Sequence, residues 1–264
     1  MKISIIGAGA MGGSTVEGLL KTTVVKPADL TVSDPAKPVL DRFAQMGVSV
    51  TDNNSAAVKG ADVVMVFVKP WLVEQVLKGI KKSLDYDKQI VVVVAAGVPS
   101  TSIQEWLAKA PVEAAMPPLF LAIPNIAIAQ LTSMTFVVPV VATSKQTATV
   151  CSIFDAMGQT LITDEKHLPA GTTLASCGIA YAMRYIRAAS EGGVELGFKA
   201  IDAKKIVMQT MKGAVELLLA SGMHPEEAID LVTTPEGVSI KGLNEMEHAG
   251  FSSAVIRGLK AGLK

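Results

Sequence analysis

The stretch K-I-S-I-I-G-A-G-A-M-G, residues 2–12, runs from a β-branched apolar segment straight into Gly7, Gly9 and Gly12 at G-x-G-x-x-G spacing. Each glycine has its own physical task. Gly7 permits a tight strand-to-helix turn, Gly9 lets the backbone approach a pyrophosphate, and Gly12 lets the next helix pack close to the strand. A helical pattern over 14–20 follows, then a second apolar strand over 30–32 that ends at Ser33-Asp34, roughly 20 residues past Gly12, as the dinucleotide fingerprint expects. Phosphates belong at the helix N-terminus, where unpaired N–H groups and the helix dipole favour negative charge. The stretch therefore predicts a nicotinamide dinucleotide site formed by Gly7, Ala8, Gly9, Ala10, Met11 and Gly12. Asp34 at the second strand end favours an unmodified ribose and so NADH, whereas Ser33 and Lys37 offer contacts to the 2′-phosphate of NADPH if Asp34 turns aside. Both cofactors stay open.

Outward from the glycines, apolar runs at 3–6, 30–32, 63–68, 90–94, 119–123 and 134–138 alternate with helical stretches. That alternation predicts βαβ units and parallel pairing. Because the runs lack polar alternation, the strands are expected to be buried on both faces. Residues 1–163 thus read as an α/β Rossmann-type dinucleotide-binding domain. After His167 the β-branched clusters disappear and helical periodicity covers 171–196, 203–220, 225–232, 236–248 and 252–263. Asp202 is expected to cap the second of these, Gly222 to end it, Pro225 to open the third and Gly250 to separate the last two. Residues 164–264 form an all-helical domain, expected by fold-level analogy to serve dimerisation and substrate binding.

Half of the 264 residues are hydrophobic and the mean hydropathy is +0.42 with 18% charged residues, so part of the apolar surface is expected to be covered by another subunit. The 24 Lys and Arg balance 24 Asp and Glu without like-charge blocks, which points to a small-molecule ligand rather than nucleic acid or an anionic membrane. Cys151 and Cys177 lie far apart without metal-ligand spacing, so no disulfide framework and no metal site is expected. The apolar runs are too short for a bilayer, and the N-terminus reads as a strand and glycine turn, so the cytoplasm is the expected compartment.

Ligands of an open α/β sheet collect at the carboxyl ends of its strands. Beyond the glycine loop and Ser33-Asp34, those ends offer Asn54, then Phe67-Val68-Lys69-Pro70, Ala95-Ala96-Gly97 and Asn125 as cofactor contacts. The segments F-V-K-P-W (67–71), A-A-G-V (95–98), I-P-N (123–125) and T-T-P-E-G-V-S-I-K-G-L (233–243) occur in an order that resembles pyrroline-5-carboxylate reductases, nearly end to end. That resemblance implies NADPH- or NADH-dependent reduction of 1-pyrroline-5-carboxylate to L-proline, the last step of proline biosynthesis, by a homodimer or larger homo-oligomer joined through the helical domain. It also departs from the family pattern at Leu121, Ile179 and Glu236, where relatives carry arginine, proline and glycine.

The resemblance implies that Thr234, Gly237, Val238 and Ser239 contact the substrate and that Ser239 is catalytic, its hydroxyl orienting the ring nitrogen. The helix opening near Pro235 is expected to offer the N–H groups of Gly237, Val238 and Ser239 to the substrate carboxylate. A cyclic imine that arrives protonated needs no strong protein acid, in keeping with three histidines, His167, His224 and His248, that form no acid–base constellation. Two alternatives are a non-catalytic or altered-substrate paralogue that keeps the nucleotide site, and a β-hydroxyacid dehydrogenase. The latter family carries a lysine on its first interdomain helix, and residues 171–185 contain none.

Overall fold

All four side chains of β1 (Ile3–Ile6) are buried, and the strand pairs in parallel with a neighbour on each side. The computed structural model describes residues 1–109 and 116–263. From β1 the chain continues through α1 (Ala10–Leu20), β2 (Leu30–Ser33), α2 (Lys37–Ala44), β3 (Ser49–Thr51), α3 (Asn54–Ala57), β4 (Val63–Val66), α4 (Val73–Ile80), β5 (Ile90–Val93) and α5 (Ser100–Leu107). β6 (Leu119–Ile123), β7 (Ser133–Val141), α6 (Ser144–Asp155), β8 (Gly158–Ile162) and α7 (Leu168–Gly171) complete this part. The sheet order is β3-β2-β1-β4-β5-β6-β7-β8. This is the Rossmann arrangement, in which the order reverses between β1 and β4 and opens a crevice at their carboxyl ends.

The two-residue period of a strand sorts the sheet's side chains between two apolar layers. Ile3, Ile5, Val63 and Met65 join Leu19, Phe43 and Phe154 on one face. Ile6, Val64 and Val66 join Leu77, Ile80 and Ile103 on the other. Burial on both faces is what continuous apolar runs require, and each fully buried Leu, Ile or Phe contributes about 1.5–3 kcal/mol.

Two features of the sheet differ from the sequence expectation. β7 runs antiparallel to β6, because the connection between them holds only the short 3₁₀ segment Ile126–Gln130 and a parallel return needs a crossover of a dozen or more residues. β3 and β8 are additional strands. β3 is three residues long and half-exposed, and β8 is an edge strand with Leu161 and Ile162 facing outward, so neither shows an apolar run. Residues 164–176 make contacts with the sheet: the Glu165 carboxylate accepts the Ser100 N–H at 2.8 Å and the Ser100 hydroxyl, and Gly171 lies against the Phe136 ring. By backbone compactness the chain divides into Met1–Ser176 and Cys177–Lys264.

The second unit contains α8 (Gly178–Glu195), α9 (Ala200–Ser221), α10 (Pro225–Val232), α11 (Val238–His248) and α12 (Phe251–Ala261). The helix expected over 171–196 is interrupted by a π-helical turn, Thr172–Cys177. α9 starts at Ala200 with Lys199 at its cap, so Asp202 lies inside the first turn, where its charge complements the helix dipole instead of capping. Gly222 ends α9 at φ +64° and Gly250 precedes α12 at φ +82°, both left-handed as helix-boundary glycines tend to be. His224 accepts the Glu226 N–H at 3.2 Å while Glu227 reaches back to the His224 N–H at 3.2 Å, and Pro225 opens α10. This histidine is a helix cap.

Candidate functional site

The glycine loop is held in shape by backbone sterics and two well-placed hydrogen bonds. Gly7 has φ +87°, and a Cβ there would come 2.6 Å from the Phe67 carbonyl oxygen. Its N–H donates to Ser33 O at 2.8 Å, so the loop begins tied to the end of β2. A Cβ on Gly12 would come 2.0 Å from the Gly7 carbonyl oxygen. Neither position tolerates a side chain. Gly9 differs: its φ of −64° suits any residue, yet nothing lies within 4 Å of where its Cβ would be. Folding alone does not demand glycine here, whereas a phosphate approaching the loop does.

α1 opens directly after Gly9 with no acidic residue in its first turn. The N–H groups of Ala10, Met11 and Gly12 have no intrahelical acceptor, and no first-turn carboxylate offsets the positive end of the helix. Asp34, half-buried at the end of β2, accepts the Ala8 N–H on Oδ2 at 2.8 Å and the Ala36 N–H on Oδ1 at 2.9 Å. The Ser33 hydroxyl is fully buried and donates to Asn54 Oδ1 at 2.6 Å. Asn54 is placed by its neighbour Asn53, which caps α3 by accepting the Ala56 N–H at 3.1 Å.

Beside this loop lies a cavity of about 640 Å³, lined by Ile6, Gly7, Ser33, Asn54 and Val68 among the expected strand ends. Asn53, read from the sequence together with Asn54, also lines it, whereas sequence reasoning missed the rest of the far wall, formed by Pro35, Asp52, Ser55, Leu72, Gln75, Val76 and Gly79. Asp52 and Asn53 come from the turn after β3, Pro35 from the turn after β2, Ser55 from α3, Leu72 from the 3₁₀ turn Pro70–Leu72, and Gln75, Val76 and Gly79 from α4. Recognising β3 would have pointed to the first group, because strand ends line the crevice. The geometry fits a dinucleotide, since phosphate donors, an open glycine and a partly apolar cleft adjoin one another.

The remaining expected positions occupy different settings. The Phe67 side chain is buried and its carbonyl forms the wall behind Gly7, while Lys69 and Pro70 are exposed at the start of the 3₁₀ turn Pro70–Leu72. Ala95 is half-buried, and Ala96 and Gly97 are exposed after β5, with Gly97 at φ +77°. Asn125 is 4% exposed and turned inward, its Oδ1 accepting the Ala127 N–H at 3.0 Å and its own N–H donating to Ser133 Oγ at 3.1 Å.

In the second unit, Thr234 to Gly237 form a turn in which the Gly237 N–H donates to Thr234 O at 2.9 Å. Glu236 stands at φ +62° in the third turn position, the place where glycine is favoured and another residue costs about 1 kcal/mol. A Cβ on Gly237 would come 2.5 Å from Thr234 Oγ1, which fixes that glycine sterically. α11 begins at Val238 with Gly237 as its cap. This corrects the expected donor set: the Gly237 N–H is occupied by Thr234, and the free first-turn groups are those of Val238, Ser239 and Ile240. Ser239 is exposed in the single chain.

The His167 Nδ1–H donates to Asp164 Oδ1 at 2.6 Å, and this hydrogen bond holds the Asp164 carboxyl below its ordinary pKa. His248 Nδ1 lies 3.7 Å from Glu245 Oε1. Both are exposed ends of helical segments. Among the described residues, no cluster of three or more His, Cys, Asp or Glu is arranged to hold a metal ion, and no helix is long and apolar enough to cross a membrane.

Comparison with known proteins joins the two regions in one lineage. Residues 165–264 match the family model for pyrroline-5-carboxylate reductase dimerisation, and residues 2–97 match that of the coenzyme F420-dependent NADP oxidoreductases. A pyrroline-5-carboxylate reductase of Methanosarcina acetivorans is 32% identical, the alignment covering 97% of this chain and 94% of that protein. Pyrroline-5-carboxylate reductase 1 of Dictyostelium discoideum is 35% identical over 97% of this chain, and the chain spans about half of its length, 48%. Among solved structures, the pyrroline carboxylate reductase of Plasmodium falciparum with NADP bound superposes with a TM-score of 0.88, at 22% identity, over 100% of this chain and 95% of that one. At that identity the likeness speaks to the fold.

Proposed function

The chain belongs to the pyrroline-5-carboxylate reductase family, and from that premise we propose that it reduces 1-pyrroline-5-carboxylate to L-proline with NADH or NADPH. The observation that carries this reading is the near full-length match to curated reductases, which spans both the glycine loop and the Thr234–Ser239 turn.

Within this reading, Gly9 and the free N–H groups of Ala10, Met11 and Gly12 hold the pyrophosphate, and Asp34 and Asn54 hold the ribose end. Ala95, Ala96 and Gly97 line the path beyond the pyrophosphate, with Lys69 and Pro70 at its side. When bound, the reduced nicotinamide supplies a hydride. The helical unit grips the substrate: the first-turn N–H groups of Val238, Ser239 and Ile240 bind its carboxylate, and the Ser239 hydroxyl hydrogen-bonds the ring nitrogen. Thr234 and Gly237 shape that turn. Holding the imine in register makes the reaction effectively unimolecular, an effect of several kcal/mol on the barrier, and is the main service of the chain's own residues. No histidine is needed as a strong acid when the imine nitrogen arrives protonated.

The proposal includes a homodimer or larger homo-oligomer joined through the helical unit, and a cytoplasmic setting. Incubating the protein with reduced dinucleotide and pyrroline-5-carboxylate tests the reaction: dinucleotide oxidation with stoichiometric proline is the expected result. Dinucleotide binding without proline formation across cyclic imines would overturn it.

A further inference from the structure

We propose that Asp34 makes this chain selective for NADH over NADPH. This deepens the reading above, because it rests on the crevice at β1 and β2 holding the adenosine end of a dinucleotide. An acid at this strand end excludes a 2′-phosphate only if it stays in place, and here it is pinned. The Asp34 carboxylate takes one backbone N–H on each oxygen, Ala8 at 2.8 Å from within the glycine loop and Ala36 at 2.9 Å from the turn that follows β2. Swinging the side chain away would leave both N–H groups without their acceptor, one of them in the loop that shapes the pyrophosphate site. Each oxygen keeps a lone pair for a ribose hydroxyl, which donates, whereas a phosphate has only acceptors and negative charge to offer.

The nearby groups able to offset this charge face other partners in the structure. The Lys37 ammonium lies 2.7 Å from both oxygens of Asp41 along α2, an exposed pair of small energetic worth, and no backbone or buried group among the described residues fixes it beside Asp34. The Ser33 hydroxyl is fully buried and donates to Asn54. No residue lining the adjoining cavity among the described ones is lysine or arginine, and one of them, Asp52, adds a second carboxylate. A 2′-phosphate placed there would meet like charge without a compensating cation. The Plasmodium falciparum relative was solved with NADP, so this selectivity is a property of this chain's residues rather than of the shared fold.

Binding titrations of the full chain separate the two levels of inference without requiring turnover. NADH and NADPH are compared by nicotinamide fluorescence, and 5′-AMP and adenosine 2′,5′-bisphosphate by calorimetry, which isolates the ribose end. NADH and AMP are expected to bind at least about tenfold more tightly than their 2′-phosphorylated counterparts, with the gap narrowing in Asp34→Asn as one charge is removed. Equal or tighter binding of NADPH by the unaltered chain overturns the selectivity while leaving the nucleotide site intact. Failure of all four ligands to bind overturns the nucleotide site itself. Because the unaltered chain decides between these outcomes, the inference does not depend on how well Asp34→Asn folds. A gap that persists unchanged in a natively folded Asp34→Asn assigns the discrimination to other residues and also overturns the role given to Asp34.

Discussion

The two units of this chain complete their hydrophobic burial in opposite ways. In the first, the strands are covered on both sides by the chain's own helices, and Phe43, Phe120 and Phe154 have no exposed surface. In the second, Ala203 and Ala228 are the buried apolar residues among the described ones, while Leu196, Phe198, Ile201 and Leu219 stand 83%, 53%, 72% and 74% exposed. Isolated surface apolar residues are ordinary, but a run of them along successive helices marks a surface that another molecule covers. The stability of the first unit is therefore written in intrachain contacts, and that of the second in association, which is also the division of labour proposed for nucleotide binding and subunit assembly.

The sharpest way to test that contrast is to damage each side in turn. Phe120→Ala empties a fully enclosed site in β6 and is expected to lower unfolding stability by about 3–5 kcal/mol, read by urea denaturation. A loss under about 1 kcal/mol would show that the first core is not closed as described. In the second unit, Val215→Glu combined with Leu219→Glu charges one face of α9, since residues four apart lie side by side. The expected outcome is dissociation towards monomer in light scattering, at about 1.5–3 kcal/mol for each side chain no longer buried. An unchanged assembly would mean that this face is not where copies meet.

A finer probe concerns chemistry rather than folding. Ser239→Ala is expected to lower turnover roughly tenfold, about 1.4 kcal/mol, with dinucleotide affinity unchanged, because the hydroxyl is assigned to the substrate alone. Unaltered kcat removes Ser239 from the mechanism, and a matching loss of dinucleotide affinity would assign it to the cofactor instead. The smallest expected effect lies inside the first unit at Tyr86. Burial pushes its phenol up to about 12, and its hydroxyl donates to the Leu107 carbonyl beneath the Lys109 ammonium, which sits 3.6 Å from the ring centre. A folded-state value above the unfolded value of 10.0 means a stabilisation present below pH 10 that fades as the pH rises towards 12. Tyr86→Phe is expected to flatten that decline while costing ~1 kcal/mol at neutral pH through the lost hydrogen bond. An identical alkaline decline in both proteins would place its origin elsewhere.

Legibility from sequence follows the same contrast. The glycine loop was readable because Gly7 and Gly12 are fixed by contacts a few ångströms away, and the apolar strands because double burial imprints a continuous pattern. β3 and the cavity wall from Leu72 to Gly79 left no such mark, as a short half-exposed strand and one face of α4 acquire meaning only once the sheet order brings them beside β2. The antiparallel β7 was hidden because its apolar run looks the same in either direction. In the second unit, helix boundaries at Gly222, Pro225 and Gly250 were legible through local backbone demands. The start of α11 was not, because the Thr234–Gly237 turn carries a glutamate where a positive φ would ordinarily announce itself through glycine.

The dinucleotide affinity of Gly9→Val bears most directly on the central assignment, since residue 9 has an ordinary φ and open space around it. The variant, at the N-cap of α1, is expected to remain folded with a stability loss of no more than about 1–2 kcal/mol and to bind NADH at least about a hundredfold more weakly, its side chain occupying the place of the pyrophosphate. Native stability together with undiminished NADH binding would contradict the assignment of this loop as the nucleotide cradle.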